Sequence, residues 1–159
     1  MDLKDNLIER VLIKQNCEKD KVCQAEAIEL CKRPKGVLHF FKYFLWTYDP
    51  RETPSDRPFI PYDYQETTIL QIEQDIIRGE SNLFVKTRDM GLTWMVLGVF
   101  LHRWLFFDES FMLGSRKQEY VDTIGDMDSH FERIRYMLRN LPNWLVAVCG
   151  WNRANDGFL

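Results

Sequence analysis

The sequence predicts an α/β fold, a three-layer sandwich with a largely parallel sheet, preceded by an N-terminal helical region. Two short apolar runs, Leu83–Val85 and Phe111–Leu113, have the length of buried strands. Helical patterns stand around them, at Asp63–Arg78, Thr93–Phe107 and Asp126–Leu141. Strands that alternate with helices are typical of a parallel sheet covered by helices.

The remaining regions divide the chain into three parts. The polar segment from Leu3 to Lys32 predicts two short helices with a break near Asn16. Residues 37–48 are rich in aromatic side chains, which we interpret as core packing and not as a base-stacking surface. Four prolines between Asp49 and Pro61 predict an extended connector. We therefore divide the chain into an N-terminal helical and aromatic region (1–48), a Pro-rich connector (49–61) and the first part of an α/β domain (62–159).

Composition excludes several classes of protein. A net charge of -3 gives no global positive field, so any contact with DNA must be local or be made elsewhere. The N-terminus lacks the features of a secretory signal, and the longest apolar stretch is interrupted by His102 and Arg103, which argues against a membrane partner. The cysteines have neither zinc-ligand spacing nor a nearby histidine pair, and we expect four reduced thiols in a cytoplasm: Cys17, Cys23, Cys31 and Cys149.

The segment from Lys86 to Thr93 has most parts of a phosphate-binding loop: a preceding strand, a glycine-containing turn and a following helix. In the usual G-x-x-x-x-G-K-[ST] frame, Gly91 and Thr93 are in register. Leu92 stands where the lysine belongs, and Lys86 stands at the first glycine. We hypothesise that Lys86 reaches the β- and γ-phosphates of ATP from the other end of the loop, and that Thr93 binds Mg²⁺. A strand-turn-helix with no nucleotide site is the alternative.

The string Phe84-Val-Lys-Thr-Arg-Asp-Met-Gly-Leu-Thr-Trp94 resembles the loop of the large terminase subunit of tailed bacteriophages, a P-loop ATPase in which the lysine stands at either end of the loop. The resemblance implies that Lys86 and Arg88 are catalytic, with Arg88 as a cis-acting finger on the transferred phosphate. It also implies that the whole loop binds ATP and that Thr93 holds the metal. These loop residues are Lys86, Thr87, Arg88, Asp89, Met90, Gly91, Leu92 and Thr93.

Two further strings carry the resemblance, which covers roughly residues 60 to 145. Pro61-Tyr-Asp-Tyr-Gln65 is similar to the family's adenine-recognition element, which implies base contacts from Tyr62, Tyr64 and Gln65. A glutamine amide offers the donor and the acceptor that suit the N6 and N7 edge of adenine. The segment Phe111–Asp122 resembles the second-strand motif that couples nucleotide state to the DNA track.

The resemblance also implies double-stranded viral DNA, the portal protein and the small terminase subunit as partners. It also implies a homo-oligomeric ring on the portal, a location in the host cytoplasm and a nuclease in the full-length protein. The acidic strand motif of such ATPases is not found after the loop, and Asp108-Glu109 comes too soon to serve as one. We therefore expect a fragment or a truncated product, ending before that motif, that hydrolyses ATP weakly. The alternatives are a helicase-like translocase, against which Leu92 speaks, and a non-catalytic α/β interaction module.

Overall fold

The computed structural model describes residues 2–147, and within them it is built mainly from helices. The predicted three-layer sandwich with a parallel sheet is wrong. The sheet in the described residues has two antiparallel strands that pair Trp46 with Pro58 and Tyr48 with Asp56. In chain order the elements are α1 (Leu3–Cys17), α2 (Lys21–Lys32), α3 (Gly36–Tyr43), β1 (Trp46–Tyr48), β2 (Asp56–Pro58), α4 (Asp63–Arg78), α5 (Leu92–Phe107), α6 (Gln118–Val121), α7 (His130–Asn140) and α8 (Asn143–Val146).

Both predicted buried strands, Leu83–Val85 and Phe111–Leu113, lie outside any regular element. Phe84, Phe111 and Leu113 are partly buried, whereas three neighbouring side chains are 84%, 91% and 96% exposed: Leu83, Val85 and Met112. A strand needs a neighbour to accept and donate its backbone hydrogen bonds. Phe84 and Leu113 pack against the core, but the described residues supply no strand that pairs with either run.

The predicted helices are largely confirmed, because their limits follow from local signals. Helix α4 has the predicted bounds and ends at Gly79, whose φ of 67° places it in the left-handed region that glycine adopts readily. Helix α5 begins one residue before the predicted Thr93. Helix α7 starts later than predicted, at His130, because the Ser129 side chain accepts a hydrogen bond from the Glu132 amide and caps it.

One hydrophobic core joins the N-terminal region to the later helices. The aromatic segment contributes Phe40 and Phe41, both fully buried, so its interpretation as core packing is confirmed. Helix α5 crosses this segment closely at Gly98, where an added Cβ would lie 2.4 Å from the Phe41 ring and 2.9 Å from Leu45. The packing of α5 against α3, α4 and α7 fixes the position of its N-terminus.

Helix α1 turns polar residues inward. Asn6 and Arg10 are buried and donate hydrogen bonds to the carbonyl oxygens of Lys42 (2.8 Å) and Phe41 (3.0 Å). These carbonyls belong to the last turn of α3, where intrahelical donors are lacking. The two side chains therefore cap α3, and four apolar residues of α1 are exposed: Leu7, Ile8, Val11 and Leu12.

The expectation of four reduced thiols is wrong. Cys17 at the end of α1 forms a disulfide with Cys23 in α2, while Cys31 is free and buried. Cys149 lies outside the described residues. Within residues 2–147, none of the helices combines the length and the apolar character needed to cross a membrane.

Candidate functional site

The loop from Lys86 to Thr93 makes a tight turn at the start of α5. Asp89 and Gly91 have left-handed backbones, with φ of 63° and 76°. Helix α5 then begins at Leu92, and within the described residues no side chain caps it. The first amides of a helix have no intrahelical acceptor and favour negative charge. The predicted turn and helix N-terminus are confirmed, although the predicted strand in front of them is not.

Gln65 joins this loop to the start of α4. Its side-chain Nε2 donates to the carbonyl oxygen of Met90 at 3.2 Å, and its Oε1 accepts from the amide of Tyr62 at 3.1 Å. Gln65 is only 5% exposed, and a Cβ added to Gly91 would lie 3.1 Å from its Nε2. The Gln65 amide therefore holds the loop against the N-terminus of α4, and glycine at position 91 permits the contact.

The α4 start, the loop and two further segments enclose an open cleft of about 1310 Å³. Its walls include most of the predicted site: Tyr62, Tyr64, Gln65, Lys86, Asp89, Gly91, Leu92 and Thr93. The predicted adenine cluster and phosphate loop thus meet at one site. Thr87, Arg88 and Met90 are not among the lining residues, and Arg88 is exposed.

Two tyrosines form a stacked pair on the wall of the cleft. The rings of Tyr62 and Tyr64 are nearly parallel, with an interplanar angle of 9° and centroids 6.0 Å apart. They are 69% and 46% exposed. Aromatic faces in this setting can stack on a planar base with little dependence on its identity. The pair therefore offers exposed aromatic faces on which a planar group could stack, whereas the Gln65 amide is buried.

The connector, which sequence reasoning treated only as a spacer, forms another wall of the cleft. Arg51 contacts Asp89 of the loop at 3.3 Å and Asp49 at 2.9 Å. Its hydrogen bonds to Asp49 hold the pKa of that carboxyl at about 2. The Tyr136 hydroxyl of α7 donates to Asp56 at 2.7 Å and anchors the hairpin. The four prolines indicated an irregular chain but gave no signal for these contacts.

Arg133 of α7 also lines the cleft, and sequence reasoning gave it no role. Its guanidinium lies 5.5 Å from the centroid of the Trp94 ring, its Nε donates to the Met127 carbonyl at 2.6 Å, and its Nη2 lies 3.3 Å from Asp128. Burial lowers the pKa of Arg133, while Asp128 and Asp126 raise it. In the sequence Arg133 is one of several α7 arginines, and only its contact with α5 distinguishes it.

Asp108-Glu109 shows no sign of an acidic magnesium motif. Asp108 ends α5 in a left-handed conformation, with φ of 55°, and Glu109 pairs with Arg103 of the same helix. Neither residue lines the cleft. Asp108 is explained by the end of α5, and Glu109 by its ion pair with Arg103.

Comparisons of the chain with protein-family models, with curated proteins and with solved structures give no match.

Proposed function

We propose that the cleft binds ATP with Mg²⁺ and that the chain is the ATP-binding part of a viral DNA-packaging terminase large subunit. The observation that carries the proposal is the pair of hydrogen bonds at Gln65, which accepts from the Tyr62 amide and donates to the Met90 carbonyl and so joins the tyrosine pair to the glycine turn and the α5 N-terminus. A base-stacking surface and an anion-binding helix end on one cleft match the two halves of a nucleotide.

The residues at the turn fit a magnesium triphosphate. Lys86 supplies a positive charge on the cleft wall, and Thr93 in the first turn of α5 supplies a hydroxyl. Mg²⁺ keeps several waters and binds few protein groups, so one hydroxyl together with phosphate oxygens is a sufficient set of ligands. When bound, the metal neutralises charge on the phosphates. Asp89 would repel them, and its ion pair with Arg51 reduces that repulsion.

Gln65 takes a narrower role in this proposal than the motif implies. One acceptor site and one donor of its amide are already used within the protein, and the residue is buried. We assign base binding to Tyr62 and Tyr64 and assign Gln65 the role of fixing the loop. The same observation favours a second candidate, a non-catalytic interaction module in which Gln65 serves only as a structural clamp.

The wider packaging role rests on the three motifs. It comprises translocation of double-stranded viral DNA, contacts with the portal protein and the small subunit, assembly of a ring, a nuclease elsewhere in the full-length protein and action in the host cytoplasm. The net charge of -3 gives no global positive field, so contacts with DNA would be local or made elsewhere. Arg88 is proposed as the cis-acting finger, and its exposure leaves it free to move toward a transferred phosphate.

Nucleotide-dependent thermal stability tests the proposal with the purified chain. ATP with Mg²⁺ at 100 times its Kd should stabilise the protein by about 2.7 kcal/mol. Lys86→Ala should weaken this response, whereas Lys19→Ala, which changes an exposed lysine away from the cleft, should not. Arg88→Ala should leave binding intact and reduce any hydrolysis, by a factor that reaches 10³ in other phosphoryl-transfer enzymes. If no adenine nucleotide stabilises the chain, the ATP-binding proposal fails and the non-catalytic interaction module is left as the candidate.

A further inference from the structure

Arg133 differs from the other arginines of the cleft in how it is held. Arg51 contacts two carboxylates and Arg57 contacts Glu52 at 3.0 Å, and each of these side chains is at least 39% exposed. The Arg133 side chain is only 16% exposed. Besides one contact with the exposed Asp128, its position is fixed by a neutral carbonyl and an aromatic ring, those of Met127 and Trp94. A guanidinium fixed in this way keeps its full charge and most of its donors.

The position of Arg133 relates it to the turn of the loop. Trp94, against which it lies, is the residue after Thr93 and belongs to the first turn of α5. The guanidinium therefore comes from α7 and lies beside a side chain of the first turn of α5, the helix end where anions are favoured, and it lines the same cleft as Lys86. Positive groups from separate elements at one helix end are suited to an anion with several negative oxygens.

The carboxylate partner of Arg133 is easily displaced. Asp128 is 83% exposed and makes one contact with Arg133 at 3.3 Å. Exposed ion pairs of this kind contribute little free energy, whereas arginine contacts phosphate through two parallel hydrogen bonds. An incoming phosphate would thus replace a weak contact with a stronger one.

We infer that Arg133 is a phosphate-binding residue of the cleft, and that Asp128 occupies its guanidinium when no nucleotide is bound. The inference rests on the proposed function, which it extends from the loop to helix α7. It assigns Arg133 to the phosphates and not to the base, because Arg133 contacts Trp94 in the first turn of α5, whereas the tyrosine pair belongs to the start of α4.

The test measures the affinity of the purified chain for ATP with Mg²⁺ and for adenosine, which lacks phosphates. Arg133→Lys keeps the charge but loses the two-pronged geometry, so the Kd for ATP should rise about 10-fold or more, with the Kd for adenosine unchanged. Asp128→Asn should lower the Kd for ATP a few-fold, because the competing carboxylate is removed. Arg139→Lys, which changes a partly exposed arginine of the same helix, is the matched control and should leave both constants unchanged.

The possible results distinguish failure of the Arg133 inference from failure of the proposed ATP-binding function. If the wild type binds ATP and Arg133→Lys binds it equally well, Arg133 is not a phosphate ligand and the nucleotide site stands without it. Equal losses for ATP and adenosine would assign Arg133 to the packing of Trp94 and also overturn the inference. If the wild type binds no nucleotide, the proposed function fails together with the inference. Asp128→Asn alters an exposed side chain and retains the test should Arg133→Lys not fold.

Discussion

Replacement of Gly91 by alanine tests the contact that organises the cleft. Gly91 has a φ of 76° and precedes α5. An alanine there adopts a left-handed conformation at a cost of about 1–2 kcal/mol. Its Cβ would also lie 3.1 Å from Gln65 Nε2, so the amide must shift and weaken its bond to Met90. A lost neutral hydrogen bond costs about 1 kcal/mol, so we expect Gly91→Ala to lower the free energy of unfolding by about 2–3 kcal/mol.

Gly79→Ala is the matched control. Gly79 has a similar φ of 67°, and an added Cβ there meets no atom within 4 Å. This variant should suffer only the backbone cost of about 1–2 kcal/mol. The difference between the two variants, about 1 kcal/mol, measures the Gln65 contact.

Urea unfolding at 25 °C, with a common slope for all variants, gives the required free energies. In a Gln65→Ala background the neighbour of the new Cβ is removed, and the difference between Gly91→Ala and Gly79→Ala should disappear. Equal destabilisation of the two glycine variants in the wild-type background would refute the role assigned to Gln65.

Two further predictions concern helix α5. Burial lowers the pKa of His102 to about 4, so the folded chain binds fewer protons than the unfolded chain between pH 6.5 and 4. Stability should be full above pH 6.5 and fall with pH through that window by at most about 3 kcal/mol. Urea unfolding of His102→Gln should show a flatter pH dependence, and an unchanged slope would contradict the assignment. At Gly98 an added Cβ would lie 2.4 Å from the buried Phe41 ring, so Gly98→Ala should destabilise by about 1–3 kcal/mol. Gly114→Ala, with open space around it, should be close to neutral in the same unfolding measurement.

The structural features that the sequence predicts correctly are those that depend on residues close together in the chain. The limits of α4 follow from the spacing of its isoleucines and from Gly79, and the turn before α5 follows from Gly91. The contact between Gln65 and the loop also follows from the sequence, because the Pro61–Gln65 motif stands about twenty residues before the Lys86–Thr93 loop.

The errors arose where a partner distant in the sequence decides the structure. Whether Leu83–Val85 becomes a strand depends on another strand, and no local pattern specifies one. The contact of Arg133 with Trp94 depends on the packing of α7 against α5. The disulfide between Cys17 and Cys23 depends on the turn that joins α1 to α2, and the expectation of reduced thiols in a cytoplasm did not take that turn into account.

Two exposed apolar side chains, one of them next to the loop, bear on how this chain should behave at high concentration. Val85 directly precedes Lys86 and is 91% exposed, and Met112 is 96% exposed. Exposed apolar side chains favour association, and a net charge of only -3 gives weak colloidal repulsion. Contact between chains at Val85 would crowd the lysine next to it. If chains associate at Val85, the affinity of the proposed site for nucleotide would depend on protein concentration. Diluting the sample should then change nucleotide affinity as well as solubility.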